Sequence, residues 1–193
     1  MKLFSALYAR VMRWSAHPHA PRYLATLSFA ESSFFPIPPD VMLAPMALAR
    51  RDRAWYYAML TTLASVVGGA AGYLIGYFAF ELVEPLIREA GYWERYERAR
   101  EWFDAWGFWA VFLAGFSPIP YKLFTISAGV ITMNFPLFML ASFIGRGARF
   151  FLVAGLMVWG GEPMERSLHL YIDRIGWLVI LAAVAGYIIV SNG

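Results

Sequence analysis

Apolar residues run through this chain in long blocks rather than in the short, spaced positions of a water-soluble helix. Residues 55–80, "WYYAMLTTLASVVGGAAGYLIGYFAF", form one unbroken block. Residues 136–160, "PLFMLASFIGRGARFFLVAGLMVWG", form a second that contains two arginines. Each exceeds the roughly 20 apolar residues a helix needs to cross the hydrocarbon core, so both are predicted to span a membrane. A shorter block at 175–190, wholly apolar, is predicted to span as well.

Two further apolar stretches are interrupted. Residues 23–49 contain Pro36, Pro38, Pro39 and Pro45, and residues 107–133 contain Pro118 and Pro120. Proline removes a backbone donor and clashes with the preceding turn, so each stretch is expected to divide into two short helices. Two half-length helices joined at a proline-rich tip make a re-entrant hairpin. Irregular backbone at that depth persists only where protein or a wet cavity surrounds it.

The remaining segments mix charge with aromatic and aliphatic residues. Residues 1–22, with Leu3, Leu7, Val11 and Trp14 on one side, read as an amphipathic interfacial segment. Residues 81–106 and 162–174 are expected to form amphipathic surface helices. The domain plan is therefore 1–22, a membrane domain at 23–160 and a C-terminal surface helix plus span at 161–193.

The interrupted stretches repeat. Pro36-Ile37-Pro38 recurs 82 residues later as Pro118-Ile119-Pro120, which sets Asp40 against Lys122, and a spanning block follows each. The expected fold is an all-α integral membrane protein of two inverted repeats, each a re-entrant helical hairpin followed by a transmembrane helix. With the N-terminus in the cytoplasm, nine Lys and Arg residues (Lys2, Arg10, Arg13, Arg22, Arg50, Arg51, Arg53, Arg166, Arg174) lie inside. Four (Arg88, Arg95, Arg98, Arg100) lie outside. That asymmetry satisfies the positive-inside rule. The hairpins then enter from opposite faces, the plan in which broken helices mark a binding site.

Composition supports the membrane reading. The mean hydropathy is +0.54. Charged residues make up 15% of the 193-residue chain, against about 25% in soluble domains. There is no cysteine, which excludes disulfides and thiolate metal sites. No basic run resembles a nucleic-acid face.

Charges inside the apolar blocks cost a few kcal/mol each and therefore pair or face a cavity. The candidates are Glu31, Asp40, Lys122, Arg146 and Arg149. Asp40 and Lys122 hold equivalent repeat positions and are expected to pair. Arg146 and Arg149 share a helix face. Three cations against two acids suit an anionic headgroup, and arginine's planar fork suits phosphate oxygens. A carboxylate between desolvation and a neighbouring cation can load and release a proton. Glu31 and Asp40 are the proton-coupling candidates, with a fixed ion-pair network as the structural alternative. Gly68, Gly72 and Gly76 form a stripe on which a second helix can pack closely. The histidines lack metal-ligand spacing, and the serines lack a His–Asp partner or nucleophile elbow. No enzyme, metal or cofactor is expected.

Taken together, "ESSFFPIPPD", "GGAAGYLIGY", "GFSPIPYK" and "SAGVITM" resemble the DedA family, also called the VTT or SNARE-associated domain family, and within it the YqaA-like branch. The resemblance spans roughly residues 20 to 160. It implies a bacterial inner-membrane protein with opposed re-entrant hairpins. It also implies a function in moving phospholipid or polyprenyl phosphate between leaflets as a flippase or scramblase, with Glu31 and Asp40 as the family's two acids. The family's second hairpin carries two arginines six residues apart; this chain has Phe116 and Lys122 there. The expected partners are membrane lipids and protons, and the glycine stripe permits a homodimer. Two alternatives stay open: a proton- or cation-coupled small-solute transporter, and a non-transporting scaffold for envelope maintenance.

Overall fold

The computed structural model describes residue 17 and residues 19–34, 37–117 and 120–160. The N-terminal interfacial segment up to residue 16, the C-terminal surface helix and span at 161–193, and the break prolines Pro36 and Pro118 lie outside the described residues.

All regular structure among the described residues is helical. Helix α1 is Ala20–Ser33, opened by Pro21 in its first turn, where the missing N–H is no loss. It stops three residues short of Pro36. Helix α2, Asp40–Ala49, starts directly after Pro39, with Asp40 in its first turn. A short 3₁₀ turn, Arg51–Arg53, leads into α3, Ala54–Glu89. Helix α4 is Trp93–Phe116. Ser117 follows in extended backbone, as a residue before proline should. Helix α5, Tyr121–Val130, restarts after Pro120. Helix α6 runs over Phe135–Gly160, with the Asn134 side chain accepting from the Leu137 N–H at 3.1 Å as its N-terminal cap.

Two helical stretches among the described residues are long and apolar enough to cross a membrane: Arg51–Leu82, which joins the 3₁₀ turn to most of α3, and Phe135–Gly160. Their outward faces carry large exposed side chains, Leu63, Val67 and Phe78 on α3 and Leu140, Phe143 and Leu152 on α6. That surface suits hydrocarbon and not water.

One element differs from the sequence expectation. Residues 81–106 do not form a separate surface helix. They extend α3 to Glu89 and begin α4 at Trp93. At 36 residues, α3 is roughly 54 Å long, well beyond the roughly 30 Å of hydrocarbon. The turn between the helices is closed by Gly91, whose φ of 72° favours glycine, and by the Tyr92 N–H donating to the Ile87 carbonyl at 3.0 Å. The charges of 81–106 ended the apolar pattern without ending the helix. The Glu84–Arg88 pair, one turn apart, supports the helix where the apolar run stops.

Helices α3 and α6 run antiparallel. Trp55 stacks on Phe151 and meets Trp159, whereas Tyr73, further along α3, meets Phe135 and Phe138 at the start of α6. Two apolar clusters form along this pair. The first joins α1 and α2 to the start of α3 and the end of α6, through Leu24, Met42, Leu43, Tyr57, Phe150 and Val153. The second joins α4 and α5 to the later part of α3 and the start of α6, through Tyr73, Val111, Ala114, Tyr121 and Phe138.

Glycines bring the backbones close. A Cβ at Gly68 would strike the Phe29 carbonyl of α1, and one at Gly76 the Ile126 carbonyl of α5. Gly72 faces the Thr125 hydroxyl and the Ser32 carbonyl. The sequence stripe therefore seats two helices, α1 and α5. Two glycines outside it do the same work. Gly129 of α5 lies against the Tyr73 carbonyl, and Gly145 of α6 against the Phe112 carbonyl of α4.

Candidate functional site: a buried layer of charge between the apolar clusters

Between the two clusters the interior turns polar. Ser28, Ser32 and Ser33 of α1, Asp40 of α2, and Thr61, Thr62 and Ser65 of α3 are all buried there. So are Ser117, Thr125 of α5, and Ser142, Arg146 and Arg149 of α6. Helical spacing explains the gathering. Thr61, Ser65, Gly68, Gly72 and Gly76 share one stripe of α3, and Ser142, Arg146 and Arg149 share one of α6.

Each arginine holds one acid. Arg146 donates from Nη2 to Glu31 Oε2 at 2.5 Å and from Nε to Ser65 Oγ at 2.6 Å. Ser65 in turn shares a 2.7 Å bond with Ser32, whose hydroxyl also lies 3.1 Å from Glu31 Oε2. Arg149 donates to Asp40 Oδ2 at 2.5 Å from Nη2 and 3.2 Å from Nε. Its Nη1 donates to the Ser117 carbonyl at 2.7 Å and lies 3.5 Å from that of Phe116. Those carbonyls end α4 and carry the negative pole of its dipole, so a guanidinium there is favourable twice over. Asp40 Oδ1 is buried without a hydrogen-bond partner among the described residues.

Asp40 therefore pairs with Arg149 and not with Lys122. The Lys122 ammonium instead lies 3.5 Å from the Phe34 carbonyl, at the end of α1. Asp40, in the first turn of α2, meets the α6 arginine, whose fork makes several bonds at once where a point charge makes fewer. Phe34 and Phe116 hold equivalent positions in the 82-residue repeat, and each has its carbonyl approached by a cation from a distant part of the chain. Arg149 and Lys122 thereby link the end of α1 and start of α2 to the junction of α4 and α5. Thr125, donating to the Ser32 carbonyl at 3.3 Å, adds a third link.

Ser65, Thr125, Tyr121 and Ser142 carry this layer yet were not among the sequence candidates. The stripe of small residues running back from Gly68 to Ser65 and Thr61 would have found the first of them. Ser65→Ala removes a buried acceptor from Arg146 and a partner from Ser32. It is expected to lower stability by about 1–3 kcal/mol, read as a lower melting temperature in detergent; an unchanged value would place Ser65 outside the network.

Such a layer can neutralise a negatively charged group deep in an apolar setting, if a carboxylate yields its arginine. The comparisons with known proteins bear on which setting that is. The chain is 47% identical over 192 residues to an uncharacterized protein of Haemophilus influenzae, covering all of both chains. It is 29% identical over 165 residues to undecaprenyl phosphate transporter A of Staphylococcus aureus, covering 77% of this chain and 79% of that one. An uncharacterized protein of Methanocaldococcus jannaschii matches at 26% over 120 residues, covering 62% of this chain and 72% of that one. No solved structure matches. Residues 37–158, which include Asp40, Lys122, Arg146 and Arg149, match the VTT domain. With the apolar helices, the buried charge layer and that match, the chain belongs to the VTT-domain, or DedA, family of membrane proteins.

Proposed function

We propose that the protein carries a lipid with an anionic phosphate headgroup between the leaflets of the bacterial inner membrane. The observation that carries this is the two guanidinium–carboxylate contacts, the half-buried Arg146–Glu31 and the buried Arg149–Asp40, held between two apolar clusters. A phosphate entering the layer competes with each carboxylate for its arginine. Protonation of Glu31 or Asp40 neutralises that competitor and leaves the guanidinium to the phosphate; loss of the proton restores the ion pair and expels the headgroup. Lys122, near the exposed Phe34, is the first cation met from outside the layer. The acyl or prenyl tail stays in the hydrocarbon beside α3 and α6. The relationship to a protein named for undecaprenyl phosphate transport supports a polyprenyl phosphate over a phosphodiester lipid.

The path we propose follows from two re-entrant hairpins entering from opposite faces, the N-terminus being cytoplasmic. Helices α1, α2 and α5, of 14, 10 and 10 residues, are roughly 21, 15 and 15 Å long, too short to cross alone. The reciprocal use of α3 and α6 by the two apolar clusters supports the inverted repeat.

The test is reconstitution into vesicles with fluorescent polyprenyl phosphate, phosphatidylglycerol or phosphatidylcholine, with and without a pH gradient. Faster exchange of the phosphate-bearing lipid, biased by the gradient, is expected. Glu31→Gln and Asp40→Asn are expected to remove the bias. Absence of exchange for every lipid under both conditions would overturn the reading. Flux of a small anion without lipid exchange would favour a solute transporter.

A further inference from the structure

Tyr121 lies just beyond the second break, fully buried, at the first position of α5. Its hydroxyl donates to Ser142 of α6. Its ring sits over Gly69, where an added Cβ would stand 3.4 Å from both Cε1 and the hydroxyl oxygen. The guanidinium carbon of Arg146 lies 5.0 Å from the Tyr121 ring centroid and 4.6 Å from that of Phe150.

The edges and faces of a buried guanidinium need different partners. Along the edges of Arg146, Nε is taken by Ser65 and Nη2 by Glu31. Its faces cannot be hydrated at this depth, and aromatic rings are the groups that attract a desolvated planar cation there. Under the proposed exchange, Glu31 surrenders Arg146 while phosphate arrives. A guanidinium left with the Ser65 hydroxyl alone could then pivot about that single bond toward water. One held by rings keeps its place, with its donating edge still turned into the layer.

We propose that Tyr121, with Phe150, is a positioning residue that fixes the Arg146 guanidinium through its ring while the acid partner is exchanged for phosphate. The role rests on the lipid-transport reading of the same site. It ties the second break, where α5 begins, to the acid beside the first break through one arginine. The hydroxyl of Tyr121 serves only to seat the ring.

A double-mutant cycle tests this in vesicles containing fluorescent polyprenyl phosphate. Tyr121→Leu is expected to slow leaflet exchange at least about tenfold, whereas Tyr121→Phe, which keeps the ring, loses no more than about threefold. In an Arg146→Gln background, where no cation remains over the ring, Tyr121→Leu is expected to add less than about twofold. An undiminished rate in Tyr121→Leu, or an equal loss in both backgrounds, overturns the proposal, since the residue would then only fill space. If the unaltered protein moves no lipid, the transport reading falls by itself. Melting temperatures of the same proteins in detergent then decide the coupling: non-additive shifts for Tyr121→Leu and Arg146→Gln support it, and additive shifts overturn it.

Discussion

Arg149→Ala is expected to destabilise the protein by about 3–5 kcal/mol, the loss that follows when one member of a buried ion pair is removed. Asp40 would be left without its charged partner, its Oδ1 already lacking a hydrogen bond among the described residues. The Ser117 and Phe116 carbonyls would lose their cation, and the start of α2 would lose its tie to the end of α4. The double variant Asp40→Ala with Arg149→Ala is expected to recover part of the loss, since no charge remains stranded. Unfolding in detergent measures both. A single variant as stable as the original protein, or a double variant weaker than the sum of the singles, contradicts the pairing. The contrast with the surface pair Arg88–Glu84 is informative: it has 2.9 Å geometry but is exposed, and its removal is expected to change stability by less than about 1 kcal/mol.

Gly129→Val is the second large effect. A side chain at this position falls on the Tyr73 backbone, which belongs to the middle of α3 and cannot move without displacing Gly76 from Ile126. Overpacking usually costs about 1–3 kcal/mol, and a backbone-to-backbone clash belongs at or beyond the upper end. The variant is expected to unfold or to lose α5 from its seat. Gly147→Ala serves as the control. Its added methyl meets Thr62 Cγ2 at 3.6 Å, an ordinary contact, and it is expected to be neutral or slightly stabilising. Equal tolerance of the two changes would mean that α3 and α5 do not touch as described.

Much of the helical plan was legible in the chain because proline and length act locally. Pro38, Pro39 and Pro120 stand directly before α2 and α5, and the two long apolar blocks became α3 and α6. The charged residues 81–106 misled, because their pattern reports what surrounds a helix and not where it ends; only Gly91 marks the turn. Of the five charges the apolar stretches single out, Asp40, Arg146 and Arg149 are buried and Glu31 nearly so, whereas Lys122 is only half-buried, its ammonium meeting the carbonyl of the exposed Phe34. The partners of these charges were not legible. The repeat aligned Asp40 with Lys122, but equivalence in a repeat does not mean contact. Which cation reaches Asp40 depends on how α6 lies against α2, a matter of packing between residues 109 positions apart. The hydroxyl partners Ser65 and Ser142 and the ring of Tyr121 were hidden for the same reason, each being an ordinary residue until a neighbouring helix gives it a partner.

The proposed mechanism requires the two breaks to approach the charged layer from opposite sides of the bilayer. The absence of cysteine from the chain allows this to be measured against a clean background. Single substitutions Ile37→Cys and Pro120→Cys, both at exposed positions, would be probed in sealed vesicles with a membrane-impermeant thiol reagent applied from one side and then the other. Labelling of Ile37→Cys from the cytoplasmic side only and of Pro120→Cys from the outer side only is the predicted result. Labelling of both from the same side would contradict it.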